Sequence, residues 1–213
     1  MYRAHPGHLL AIAFVIYLVA GIIAAVLGLI GGRWGSLLGS IVLLIALYLV
    51  EASLVKAVQD IRDGHADLSI GQTMSAVMPA LWPVIGAAVL AGIAVTIGLA
   101  LFLVPGLFLI TIWAVIMPVI VIERTGVFGS LGRSQQLVQG YGWRVLGTLV
   151  LLEIILIVVA FILLIIFVAL PIILRSGLAT VVSFTLIAPY IALVVTLMYY
   201  RLTAAHGGEP GAA

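Results

Sequence analysis

A chain of 213 residues is one domain by length, yet 65% of its residues are hydrophobic, 8% are charged and the mean hydropathy is +1.42. That composition excludes an ordinary soluble domain and points to an integral membrane protein. The absence of cysteine excludes disulfides and thiolate chemistry, and a formal charge of +2 carried by loop arginines argues against nucleic acid as a partner.

The lack of asparagine, and one lysine (Lys56) against eight arginines, fit GC-rich codon usage and a bacterial source. From the N-terminus, Arg3, His5 and His8 precede an uncharged run, residues 9–32, too long for a signal-peptide core; residues 9–30 of it read as an uncleaved first span. Gly31, Gly32, Arg33, Trp34 and Gly35 form a turn with a boundary Trp, and residues 36–55 make the second span. Gly35 and Gly39 are spaced for close helix approach, although a glycine-rich turn running into the helix is the simpler reading. The helix continues past Glu51 through Lys56 and Arg62 until Gly64 ends it.

Residues 69–78 read as an amphipathic surface helix with a capping box of Ser69 and Gln72, an apolar face of Ile70, Met74, Val77 and Met78, and a stop at Pro79 and Pro83. Residues 80–122 carry no charge; as one helix they would measure about 65 Å, about twice a hydrocarbon core of about 30 Å, so the segment must fold back. Pro105 and Gly106 predict the turn, giving spans at 82–104 and 107–122, with Glu123 and Arg124 at the surface. A second surface helix, residues 127–139, sets Val127, Phe128, Leu131 and Val138 opposite Arg133 and Gln136. Gly140 and Gly142 break it. The fifth span is 143–170, ended by Pro171; Arg175, Ser176 and Gly177 form an outer turn; the sixth span, 178–200, closes at Tyr199, Tyr200 and Arg201.

Residues 69–90 align without a gap on residues 130–151, pairing Ser69 with Ser130, Gly71 with Gly132, Val77 with Val138, Trp82 with Trp143, Val84 with Val145 and Gly86 with Gly147. Each copy reads as surface helix, break, boundary Trp and span. "IMPVI" at 116–120 faces "IAPYI" at 187–191, extending the unit to two hairpins; an even number of spans per unit makes the repeats parallel.

The stretch "PGLFLITIWAVIMPVIVIERTGVFGSLGRSQQLVQGYGWRVLGTLVL", with Arg133 and Ser134 ahead of Gly140 and Trp143, and the closing "LMYYRLT" resemble the membrane domain found beside bacterial glycerophosphoryl diester phosphodiesterases and its stand-alone multi-span relatives. The resemblance covers roughly Tyr48 to Thr203. It implies a membrane module, not the phosphodiesterase, whose acidic metal site belongs to a separate soluble barrel. The chain departs from that domain in carrying Tyr200 where an acidic residue usually precedes the closing Arg.

No serine in a span has a histidine partner, since His5, His8, His65 and His206 lie in tails or one loop, and they are too few and too scattered for a metal site. Asp60, Asp63 and Asp67 match no calcium loop and read as a solvated linker. No catalytic, cofactor-binding or metal-binding residue is assigned. Arg124, Arg133 and Arg144 cluster about the second surface helix, where they meet lipid phosphates or a partner's carboxylates, or record only the positive-inside bias. Glu51 and Glu153 are the acidic residues inside spans. Glu51 lies near the inner boundary, where snorkelling or an Arg partner accounts for it. Glu153, about 15 Å past Trp143, is expected to face the bundle interior with the Tyr190 hydroxyl as partner.

Together these readings give an all-α integral membrane protein with six transmembrane helices, two cytoplasmic-side amphipathic helices and parallel internal repeats. The expected function is a non-enzymatic multi-pass module that engages membrane lipids or a membrane or peripheral protein partner. The alternative is a small transporter or pore using Glu153. Homo-oligomers are compatible with either, and no cofactor is expected. Counting basic residues by side places Arg3, Lys56, Arg62, Arg124, Arg133, Arg144 and Arg201 on one face and Arg33 and Arg175 on the other, which puts both termini in the cytoplasm of a bacterial cell membrane.

Overall fold

The computed structural model describes residues 6–62, 70–168 and 172–207. Among them there is helix and turn but no strand. Helix α1 (Pro6–Arg62) is interrupted at Gly32, whose φ of 52° and ψ of −131° are not helical. Residues 6–31 and 33–62 are therefore two arms, and they fold back on each other. A Cβ on Gly35 would run into the Leu27 carbonyl oxygen, and one on Gly39 would stand 3.0 Å from that of Ala24. The two glycines thus serve close backbone approach, in place of the simpler turn reading. Contact at this distance gains dispersion energy that any side chain would forbid. Below it Leu9, Ile12, Ala13 and Ile16 pack on Val50, Leu54 and Val58.

Helix α2 (Ile70–Val77) passes through one 3₁₀ turn (Met78–Ala80) into α3 (Leu81–Leu101). The Ser69 capping box and the side chain of Ile70 lie outside the described residues; Met74 packs against the first core cluster. The next turn is at Phe102, extended at φ −156° and ψ 148°, and α4 (Leu103–Ile112) follows at once. This corrects the expectation of a turn at Pro105 and Gly106. Pro105 sits in the first turn of α4, where its missing N–H leaves no hydrogen bond unmade. Gly106 serves contact instead: a Cβ there would strike Leu99 of α3.

The expected span 107–122 is broken. Trp113 and Val115 leave helical geometry before α5 (Ile116–Glu123) begins. Pro118 explains the position, because its ring would clash with the carbonyl of residue 114 in a continuous helix. Arg124 turns the chain in the left-handed region at φ 55° and leads to α6 (Val127–Val138). Gly140, at φ 84°, separates α6 from α7 (Gly142–Val168). Helix α8 (Ile172–Ala205) contains Arg175, Ser176 and Gly177, so the expected outer turn there is helix; one glycine costs about 1 kcal/mol, which an otherwise strong helix-forming segment absorbs.

The arms of α1 pack most extensively on α8, and α3 on α4. Helix α5 and the Val115 before it link two cores: Val115 and Val119 join Leu137, Val145 and Tyr199, while Ile116 and Ile120 join Val55, Val77, Val84 and Ala87. The outside of the bundle is apolar, with Ile22, Leu29, Ile93, Ile97, Ile157 and Phe161 all exposed. Among the described residues five helical stretches, Leu9–Arg62, Gly71–Leu101, Leu103–Glu123, Gly142–Val168 and Thr185–Ala205, are long and apolar enough to cross a membrane, and the first is folded double at Gly32. An apolar exterior of this extent suits lipid rather than water. Helix α7 is the most peripheral of them, burying only Val145 and Leu152.

Candidate functional site

The polar chemistry of the bundle gathers where α5, α8 and the second arm of α1 come to their ends beside α6. Glu123, the last residue of α5, has a side chain only 1% exposed. The Tyr199 hydroxyl donates to its Oε1 at 2.9 Å. Arg133 Nε donates to Oε2 at 3.0 Å and to Oε1 at 3.3 Å. Tyr199 is itself fully buried and packs edge-on against Tyr200, over whose ring the Arg62 guanidinium sits at 3.5 Å. A buried carboxylate held this way fixes three helices relative to one another, since each of its hydrogen bonds is charge-assisted.

One turn away, Ser134 repairs the break in the fourth span. Its hydroxyl donates to the Ile112 carbonyl at 2.8 Å and accepts the Val115 N–H at 3.4 Å. Two backbone groups freed before Pro118 are thereby satisfied by one buried side chain. The protein-facing side of α6 is accordingly Ser130, Ser134, Leu137 and Val138. Phe128, expected on the face toward lipid, is 79% exposed on the outside of the bundle, whereas Arg133, expected toward phosphates or solvent, turns to Glu123. Arg133 leaves the polar face expected of it because a charge buried at Glu123 without a cation would be costly.

The three arginines expected to form one cluster are thus separated. Arg133 is neutralised by Glu123. Arg124 is exposed at the end of α5. Arg144 joins Arg62 and Arg201 along a groove of about 690 Å³ between α7 and α8, together with Tyr141 and Tyr200. A second groove, of about 800 Å³, runs between α4 and α7 and is lined by Phe108, Trp143 and Leu146 with Gln135 and Gln139 at one end.

Glu153 does not face the interior. It is exposed on α7, and no hydrogen bond joins it to Tyr190, which is half-buried on α8. The helix turns about 100° per residue, so with Leu152 on the narrow buried stripe its neighbour must point away. Glu51 is half-buried, close enough to the phenols of Tyr17 and Tyr48 to act on both electrostatically. Glu153 and Tyr190 therefore do not form the expected pair.

Glu123 is easily missed in the sequence because a carboxylate at the end of a span looks like a boundary marker. The available signal is its spacing: Glu123 falls at helical distance from Ile116, Val119 and Ile120, and so shares their buried face. Asp63, Asp67, His5 and His65 lie outside the described residues, as do the side chains of His8 and Arg175. Among the described residues no three His, Asp or Glu side chains are grouped as a metal site would require. In comparisons with family models, curated proteins and solved structures, nothing matches this chain.

Proposed function

We propose that this chain is a non-enzymatic, multi-pass module of a bacterial cytoplasmic membrane that engages lipid head groups at its inner surface. The observation behind it is the contrast between one neutralised arginine, Arg133, and the exposed Arg62, Arg124, Arg144 and Arg201 at the same end of the bundle. Exposed arginines at a helix boundary beside the exposed Trp82 and Trp143 suit an anionic lipid surface. On this proposal the two arms of α1, α3, α4 with α5, α7 and α8 make six crossings, with both termini cytoplasmic. The parallel-repeat reading is supported by equivalent places: Val77 and Val138 end the short helices, Trp82 and Trp143 stand second in the long ones, and Val84 and Val145 are both buried. The resemblance to the membrane domain that accompanies phosphodiesterases belongs to the same proposal, as a module that serves a separate soluble enzyme. A pore using Glu153 would need that carboxylate inside the bundle, and its place on the outer face of α7 lends the idea no support.

The test is the lipid retained when the full chain is purified in mild detergent. Anionic phospholipid should be enriched over its share of the source membrane. A retained pool with the bulk composition overturns the reading in favour of a protein partner.

A further inference from the structure

The groove between α7 and α8 has three arginines on its walls and, among the described residues, no carboxylate. Resting on the lipid-engaging reading above, we infer that it binds one anionic glycerophospholipid, the phosphate held by Arg62, Arg144 and Arg201 and an acyl chain laid along Val194, Leu197 and Met198.

Charge is the first argument. Arg133 with Glu123 is the one ion pair among the described residues, so no described carboxylate neutralises the groove arginines. Three like charges around about 690 Å³ repel one another, and an anion in the groove converts that repulsion into attraction. The second argument is the direction in which polarity changes. Tyr141 and Arg144 lie at the start of α7 and Arg201 near the end of α8, at the same end of the groove. One to two turns deeper the α8 wall becomes Met198, Leu197 and Val194, and the α7 wall carries Thr148, whose hydroxyl is bonded to the Arg144 carbonyl. A free phosphate would use only the first half of such a groove, whereas a phospholipid matches both. The third is preorganisation. The Arg62 guanidinium lies 3.5 Å over the buried Tyr200 ring and that of Arg144 lies 5.6 Å from the Tyr141 ring. A guanidinium held near an aromatic ring has less freedom to lose when it meets a phosphate. The larger groove between α4 and α7 offers glutamines in place of charge, and so lacks this selectivity for an anion.

The experiment is native mass spectrometry of the full chain in detergent, titrated with phosphatidylglycerol, phosphatidylcholine or glycerol phosphate. One phosphatidylglycerol should bind in preference to phosphatidylcholine, with affinity falling about fivefold for each of Arg62→Gln, Arg144→Gln and Arg201→Gln. Leu197→Trp, which fills the apolar half, should weaken binding with all three arginines intact. Arg124→Gln, exposed at the same end but outside the groove, should leave the preference unchanged. Selectivity that survives the groove variants and falls with Arg124→Gln overturns the groove while leaving the general lipid reading standing. No selectivity in the unaltered chain removes both. Competition by glycerol phosphate at matched concentration makes this a soluble-anion site and overturns the lipid. Should the Arg62 variant fail to fold for want of its contact with Tyr200, Arg201→Gln and Leu197→Trp carry the decision.

Discussion

The Tyr199 hydroxyl donates a hydrogen bond to the Glu123 carboxylate at 2.9 Å, across 76 positions of the chain. The same carboxylate takes Arg133, so one buried group joins α8, α5 and α6. Removing different members should have unequal effects. Arg133→Met leaves Glu123 buried without its cation and should cost about 2–3 kcal/mol, less than the ~3–5 of fully enclosed pairs because Arg133 retains 33% exposure. Tyr199→Phe, which removes one hydrogen bond to a charged group, should cost about 1–2 kcal/mol. Replacing both Glu123 and Arg133 by Gln and Met should cost less than the two single losses added together. Denaturant unfolding in detergent measures all four; strict additivity would show the contact to be incidental.

Ser134 and Pro118 should be coupled through the break they share. Ser134→Ala strands the Ile112 carbonyl and the Val115 N–H, a loss of about 1–3 kcal/mol. With Pro118→Ala the helix can close through residues 113–115 and satisfy those groups itself. The double variant should then be more stable than Ser134→Ala alone. If Pro118→Ala makes it less stable, the proline is not the cause of the break.

The α1 hairpin should be sensitive at Gly35 and indifferent at Gly31. A methyl at Gly35 meets the Leu27 backbone, which cannot move without opening the arms, whereas nothing stands within 4 Å of one at Gly31. Gly35→Ala should lower the unfolding temperature sharply. Gly31→Ala should stay within about 0.5 kcal/mol of the original. Equal responses at the two positions would show that the arms do not approach as described.

Glu153→Leu should fold, and should insert into a membrane at least as well as the unaltered chain. A carboxylate on the outer face of a spanning helix disfavours insertion by about 2.5–3.5 kcal/mol at mid-depth. Glycosylation-based insertion yield reads the difference. A lower yield, or a less stable protein, would mean that Glu153 has a partner from a second copy or another protein.

The topology can be tested at the turn between α3 and α4. A reporter active only outside the cytoplasm should be active when inserted at Phe102, the one extended residue between those helices, and silent at the C-terminus. An active C-terminal fusion would reverse the orientation. Gly106 is a poor insertion site for this purpose, because its backbone lies against Leu99.

Much of the helical architecture is legible in the amino-acid sequence. Hydropathy and helical period place the long apolar segments, because a run such as residues 143–168 has no other way to satisfy its backbone in an apolar medium. The short helices end just ahead of Pro79 and Gly140, at Val77 and Val138, since proline and glycine act locally on the chain. Sequence alone does not determine which neighbour each polar side chain meets. Arg133 and Arg144 lie close in sequence, yet one is consumed by Glu123 and the other opens onto a groove with Arg62 and Arg201. By position in the chain Glu153 looks interior and Glu123 superficial; tertiary packing reverses them, burying Ile116, Val119 and Ile120 around Glu123 and leaving α7 on the outside. The position of the α3–α4 turn and the role of Gly35 are decided the same way, by contacts between segments. Local sequence marks many helix ends, but the place of a turn between packed helices and the environment of a charge depend on segments distant in the chain that pack around them.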